Sequence, residues 1–441
     1  LTVYDISYYV IAALMWGNMK RKTASAERYM FFFGNRYPIY FSFAVRIRGS
    51  LDSNVLRHAL HKLKSRHILL ATRVIMTKDK KQFITDQEVG EFEIRTFPND
   101  RRSWHELVLE LMSYPFVVEK GPFVRFGLKN LNGKTELYII FHHATADGVS
   151  GIIFLRDLLK ILSGQALEGP DSRGGLFLFQ SLMSEVDQVL AKRKKPDWAT
   201  EKKEVKGEAV ILPFTAPKFQ IHSRELDQAA TQKLSACAKA INISVQSLLG
   251  AVFLKTYAEV FGGDSGYERT IQIPVDCRKY VKQEHRETMG AFNSIIKLPI
   301  DCSPERNITQ IAQEIGTKLK EQTSDYKDVE VFYFFKDSFD DVADPEAMMS
   351  EFEPDPLDYD FSLSNLGRID LEASYGEWGI ESIYGPTFTA INGEQVIGLN
   401  THNGVMRFTY TYDKALFPLK TGNRIWNRAF ELLFEVITEK Y

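Results

Sequence analysis

Five apolar residues in succession, Leu137 to Phe141, run directly into a histidine pair, His142-His143. Alternate residues of a strand point to opposite faces. An unbroken apolar run is therefore what a strand buried on both faces requires. A five-residue turn, Ala144 to Gly148, separates the histidines from the segment Val149 to Leu162. That segment reads as a helix, apolar nearly all round and closed by Gly164. The chain must therefore bury this strand within a layered α and β structure.

Length extends the constraint. A single core stops growing at about 250–300 residues, and the chain has 441, so two lobes are expected. The second half repeats the elements of the first. Tyr40 to Arg48 alternates as a strand. Asp52 and Ser53 precede a helix with Leu56, Ala59, Leu60 and Leu63 on one face. Ser103 to Met112 is helical, and Phe123 to Leu128 is a strand. Later, Ser244 caps a helix to Phe261, with Gly262 as its stop. Ile271, Ile273 and Val275 alternate as a strand, and Ile308, Ile311, Ile315 and Leu319 mark another helix. Gln395 to Thr401 and Val405 to Tyr412 flank His402-Asn403-Gly404, a hairpin signal. Arg424 to Ile437 closes the chain as a helix. Regular βαβ alternation is missing, which gives an α+β fold with two lobes, each a mixed sheet with flanking helices. The expected boundaries are residues 1–22 as an N-terminal extension, 23–175 as the first lobe, 176–215 as a crossover linker and 216–441 as the second lobe. The linker carries a helix near Leu176 to Leu190. It also carries Lys192-Arg193-Lys194-Lys195, read as a solvated helix end with carrier-protein docking as the alternative.

Charge and cysteine usage narrow the function classes. Formal net charge is -2, which supplies no field for nucleic acid or an acidic membrane. Cys237, Cys277 and Cys302 are too few and too scattered for a disulfide framework or a CxxC zinc site. A reducing, cytoplasmic setting is the expectation. Tyr4 to Trp16 is apolar but interrupted by Asp5 and Ser7. It is shorter than the roughly 20 residues that span a bilayer, so membrane association is not expected.

His142 and His143 follow each other on a strand, so they face different environments. One can reach a cleft while the other packs or hydrogen-bonds. Asp147 lies four residues beyond His143, where it can hold the turn, and Gly148 permits a backbone angle other residues resist. On the residues alone, three readings stay open: satisfied polar groups at a strand end, a metal site needing a third ligand from elsewhere, or a general base.

His142-His143-Ala144-Thr145-Ala146-Asp147-Gly148 resembles the HHxxxDG signature of the chloramphenicol-acetyltransferase-like superfamily. That group includes nonribosomal peptide synthetase condensation domains, polyketide-associated O-acyltransferases and alcohol acetyltransferases. Further segments follow in the family's order: Ala24-Ser25-Ala26-Glu27-Arg28, Gly49-Ser50-Leu51-Asp52, Ser65-Arg66-His67, Ile273-Pro274-Val275-Asp276-Cys277-Arg278, Gly290-Ala291-Phe292-Asn293 and Ser364-Asn365-Leu366-Gly367.

The resemblance implies two chloramphenicol-acetyltransferase-like lobes in a V, with an inter-lobe tunnel where two reactants meet. It implies His143 as general base, His142 as an orienting neighbour, and Asp147 paired with an arginine, for which Arg278 is the candidate. Oxyanion donors would be the Gly148 backbone N–H with Ser364 or Asn365. Ser364 and Asn365 also suit an ordinary turn. Cys277 reads as a small core residue. The implied reaction is acyl transfer from a CoA or phosphopantetheinyl carrier-protein thioester to a small-molecule hydroxyl or amine. No bound cofactor or metal is expected, and an acyl carrier protein is an expected partner. O-acylation by a free-standing enzyme is the leading expectation. The alternatives are an amide-forming condensation domain and a non-catalytic, carrier-binding member of the fold.

Overall fold

A computed structural model describes residues 20–34, 39–78, 82–167, 219–262, 266–281, 283, 286–332, 357–372, 374–389 and 393–438. The apolar run at Tyr4 to Trp16, the helix at Leu176 to Leu190, the basic tetrad and the lobe boundaries at 175, 176 and 215 lie outside them. In chain order the strands are β1 (Lys20–Lys22), β2 (Tyr40–Arg48), β3 (Arg73–Met76), β4 (Gln82–Thr85), β5 (Glu93–Thr96), β6 (Val124–Leu131), β7 (Lys134–His142), β8 (Phe219–Leu226), β9 (Glu268–Asp276), β10 (Asn293–Asp301), β11 (Phe361–Arg368), β12 (Ser374–Tyr375), β13 (Trp378–Phe388), β14 (Val396–His402) and β15 (Val405–Asp413). The α-helices are α1 (Ser25–Gly34), α2 (Ser53–Arg66), α3 (Trp104–Met112), α4 (Gly148–Leu162), α5 (Gln228–Ala240), α6 (Val245–Phe261), α7 (Ile308–Gln322) and α8 (Leu419–Thr438).

Two six-stranded sheets organise the two lobes. The first has the order β12-β13-β2-β7-β6-β5, and the second β10-β9-β11-β14-β15-β8. Each is mixed: β5 runs parallel to β6 in the first, and β11 runs parallel to both β9 and β14 in the second. A small antiparallel sheet, β1-β4-β3, lies beside the first lobe's elements.

The apolar run at Leu137 is explained by what covers it. Leu137, Ile139 and Phe141 join Phe41, Phe43, Val45 and Ile47 in a core shared with α2 and α4. On the opposite face, Tyr138 and Ile140 join Tyr40, Ala44, Leu107, Val108 and Leu111, so α3 covers that side. Local signals set the helix starts. Asp52 accepts the Asn54 N–H at the head of α2, and Ser103 with Glu106 forms a capping box on α3.

The second sheet is different. Phe361, Leu363, Ile397, Leu399, Phe408 and Tyr410 pack against helices α5 to α8. The alternating positions, Ser362, Ser364, Asn400, Thr409 and Thr411, are small or polar and turn to the other face.

One boundary needs correction. A second lobe made of 216–441 alone does not form, because β13 pairs antiparallel with β2 and carries β12 with it into the first sheet. Ile369, Leu371, Tyr375 and Trp378 join the first lobe's core. Sequence pattern could not reveal this, since alternation marks a strand and not the sheet it enters. The lobes meet along the same strand. Asn400 Nδ2 donates to the Ile383 and Gly385 carbonyls at 3.1 and 2.7 Å, and Thr409 Oγ1 donates to the Pro386 carbonyl at 3.0 Å.

Candidate active site

The histidine pair divides between two environments. His142 pairs with Tyr40 at the end of β7 and is fully buried. Its ring lies among those of Phe31, Tyr40, Phe116 and Phe123, at centroid distances of 5.2 to 5.9 Å. Its Nδ1 accepts the Ala144 N–H at 3.2 Å. Burial first, then the neighbouring charges of His143 and Arg125, pushes its pKa down to about 3. His142 is therefore a neutral packing group that also holds the turn.

His143 projects to the other face, where Phe41 lies 5.2 Å away and Phe388 stacks on it at 5.9 Å and 24°. Its N–H donates to the Ile39 carbonyl, and the residue is half-buried. Nδ1 is enclosed without a partner in hydrogen-bond geometry. The carbonyls of His143 itself and Ala146 act on the imidazole in favour of its protonated form. With Nδ1 enclosed, Nε2 is the ring nitrogen left to accept a proton from outside. Burial lowers the imidazole below its ordinary pKa, with the Asp147 charge and the two carbonyls pulling the other way. The ring is thus neutral near pH 7, the state a general base needs.

Asp147 is the N-cap of α4 and is buried. Its carboxylate accepts the Ser150 N–H at 2.8 Å and the Phe292 N–H at 2.9 Å. Arg278 donates to it with both terminal nitrogens, at 2.8 and 3.1 Å. The guanidinium also reaches Ser150 Oγ at 2.8 Å and Asp276 at 3.1 Å, and covers the Phe292 ring at 4.6 Å. Burial acts to raise the Asp147 carboxyl, but the Arg278 charge and the N–H donors outweigh it and hold it below its usual range. Ser150 Oγ donates to the Gly290 carbonyl at 2.8 Å. All four hydrogen-bonding positions of the carboxylate are thereby committed to architecture, and they tie the His143 turn to the 276–292 segment of the second lobe.

Gly148 lacks the special backbone angle expected of it. It is not among the residues with positive φ. A Cβ there would lie 2.6 Å from Leu366 Cδ2. A side chain there would press on the movable Leu366 side chain, and no positive φ calls for glycine. The same contact brings Ser364-Asn365-Leu366-Gly367 against the head of α4. Ser364 lies on the polar face of β11. Asn365 Oδ1 accepts the Gly367 N–H at 2.7 Å, where Gly367 has φ +67°. That oxygen is used by its own turn, so the side chain's amide N–H groups are what it has left to offer. The Gly148 N–H opens the helix and has no intrahelical acceptor.

Sequence reading missed Phe388, Leu366, and the Ser150 and Phe292 contacts to Asp147. Ser150 and Phe292 had a signal, since each adjoins a motif. Phe388 had none, because its strand belongs to the other half of the chain. Cys277 is buried, and burial drives its thiol far from ionisation. Among the described residues no group of three or more His, Cys, Asp or Glu is placed to hold a metal ion. No single described helix is long and apolar enough to cross a membrane.

Comparison with known proteins separates the reactions left open above. Residues 32–440 match the model of the Condensation domain family. Tyrocidine synthase 3 of Brevibacillus parabrevis is 24% identical over 426 residues, which is 93% of this chain and 6% of that protein. Nonribosomal peptide synthetase kk1B of Curvularia clavata is 27% identical over 260 residues, 55% of this chain and 2% of that protein. The chain thus spans a small fraction of the length of these relatives. The first condensation domain of the calcium-dependent antibiotic synthetase, in complex with a substrate analogue, superposes with a TM-score of 0.72 at 13% identity. The match covers 96% of this chain and 97% of that one, a likeness that carries the fold and not the reaction. These findings overturn the expectation of a free-standing O-acyltransferase using acyl-CoA. The family model and the synthetase relatives point to condensation chemistry. With the motif, the two-lobe fold and a match over nearly its whole length, the chain belongs to the condensation-domain family.

Proposed function

We propose that the protein joins an acyl group held as a carrier-protein thioester to the amine of a second carrier-bound substrate, forming an amide. The observation that carries this reading is His143. It is a neutral imidazole with Nδ1 enclosed, half-buried where the first lobe's sheet meets the strand clamped by the second lobe. A neutral amine attacks the thioester carbonyl with its lone pair and must lose a proton for the intermediate to collapse to an amide. Nε2 takes that proton as the C–N bond forms, and returns it to the sulfur as the C–S bond breaks. The donor chain leaves as a free thiol, so no oxidant or further reactant is needed. A positioned base typically contributes about 10²–10⁴-fold. The oxyanion formed in between needs donors. The Gly148 N–H and the Asn365 amide or Ser364 hydroxyl are the groups in this reading that supply them. Asp147 and Arg278 serve as the brace that fixes the turn. The phosphopantetheine arms of the two carriers enter by a passage between the lobes.

The test uses two carrier proteins. One is loaded with an acyl group and the other with an aminoacyl group, and both are mixed with the protein. Intact mass spectrometry then reads the acceptor carrier. A gain equal to the acyl group, lost on hydroxylamine treatment as a thioester-held amide product, is the expected result. Free thiol without amide, ester formation from acyl-CoA, or no transfer across a panel of donors would each overturn the proposal.

A further inference from the structure

β13 does not pair with β2 in one continuous register. Ile383 lies opposite Val45 and Tyr384 opposite Ala44, but Thr387 lies opposite Ser42 and Phe388 opposite Phe41. Three residues advance on β13 while two advance on β2, so one extra residue is inserted at Gly385-Pro386. A single inserted residue exchanges the two faces of everything beyond it. Without it, Thr387 would stand opposite Phe41. With it, Phe388 does, and its ring stacks on His143. Gly385 is needed there: its φ is +131°, and a Cβ would lie 2.6 Å from the Ser42 carbonyl oxygen.

The bulge is held from both lobes. Asn400 and Thr409 of the second sheet bond the carbonyls of Ile383, Gly385 and Pro386. Beyond Phe388, Thr389 closes on β2: its N–H donates to the Tyr40 carbonyl at 3.0 Å, and its Oγ1 accepts the Tyr40 N–H at 3.0 Å. Phe388 is half-buried and Phe41 fully buried, and their rings lie 6.0 Å apart. The imidazole therefore has an aromatic neighbour on the strand that carries the lobe–lobe contact.

We infer that Phe388, aimed by the Gly385-Pro386 bulge, is the positioning residue for His143, seating its ring so that Nε2 meets the reactants and Nδ1 stays enclosed. The inference rests on the proposed condensation reaction for its kinetic consequence, but its structural consequence stands apart. A stacked ring limits the imidazole's rotation. It also keeps water from one face, in line with the burial that lowers the ring's pKa.

The test compares the intact protein with Phe388→Ala, Phe388→Leu and Phe388→Tyr. Two readouts are taken: NMR titration of the His143 imidazole, assigned by its loss in His143→Ala, and steady-state amide formation on loaded carriers. Phe388→Ala should move the His143 titration up towards the ordinary histidine value. It should lower kcat at least about tenfold, with the KM for either carrier changed less than about threefold. Phe388→Leu should fall between, and Phe388→Tyr should restore both readouts. Folding is checked by the chemical shifts of His142, which sits on the other face. A folded Phe388→Leu with wild-type titration and kcat would overturn the inference, as would a Phe388→Tyr that restores neither readout. If the wild type forms no amide, the condensation reading fails while the titration still decides the seating of His143.

Discussion

The two histidines differ because a strand sends adjacent side chains to opposite faces. His142 enters an aromatic cluster and His143 a half-open edge. Both have folded pKa values below the ordinary one, His142 at about 3. The unfolded chain binds protons at these rings first, near pH 6.5. Stability is therefore fully present above that pH and is lost as pH falls from about 6.5 towards 3. An NMR titration should find His143 still neutral at pH 6.5 and His142 neutral down to pH 4. A charged His143 ring at pH 6.5 would contradict the burial assigned to it and its readiness as a base.

At the scale of elements, the turn between β7 and α4 is held by its own hydrogen bonds to His142 and by the Asp147–Arg278 ion pair. Removing one partner of a buried, hydrogen-bonded pair costs about 3–5 kcal/mol. Asp147→Ala should therefore lower the denaturation midpoint strongly and leave buried Arg278 with Asp276 as its remaining carboxylate partner. A variant as stable as wild type yet inactive would instead give Asp147 a chemical role. The sequence made much of this region legible. The apolar run at Leu137, the periodicity of α4, the Asn403-Gly404 hairpin with both residues at positive φ and the caps at Asp52 and Ser244 are local signals, and each has its structural counterpart. Long-range facts were not legible. Nothing in Trp378 to Phe388 states that the strand leaves its neighbours in sequence to pair with β2. Nothing in Gly148 states that Leu366 of the other lobe packs against it. The O-acylation reading failed for a related reason, because motif residues mark a fold and a histidine pair but not which nucleophile would be delivered to it.

For the whole molecule, the contact between lobes is most crowded where β13 meets β14. A Cβ on Gly398 would sit 1.8 Å from the Pro386 backbone oxygen, and backbone cannot yield as a side chain can. Gly398→Ala should force β13 and β14 apart. A loss of about 1–3 kcal/mol in chemical denaturation is expected from overpacking of this kind. Condensation activity should fall more than stability alone accounts for, because the bulge that aims Phe388 lies at this contact. Unchanged stability and activity would show that the lobes do not meet there in solution. The larger claim is that a base on one lobe works beside a strand clamped by the other.

That claim is tested most directly by the single-turnover rate of amide formation on loaded carriers, measured by rapid quench for wild type and His143→Ala, each shown to be folded by its thermal transition. The account predicts a fall of at least about 10²-fold with the transition little changed. A folded His143→Ala variant that retains a rate within tenfold of wild type would contradict it.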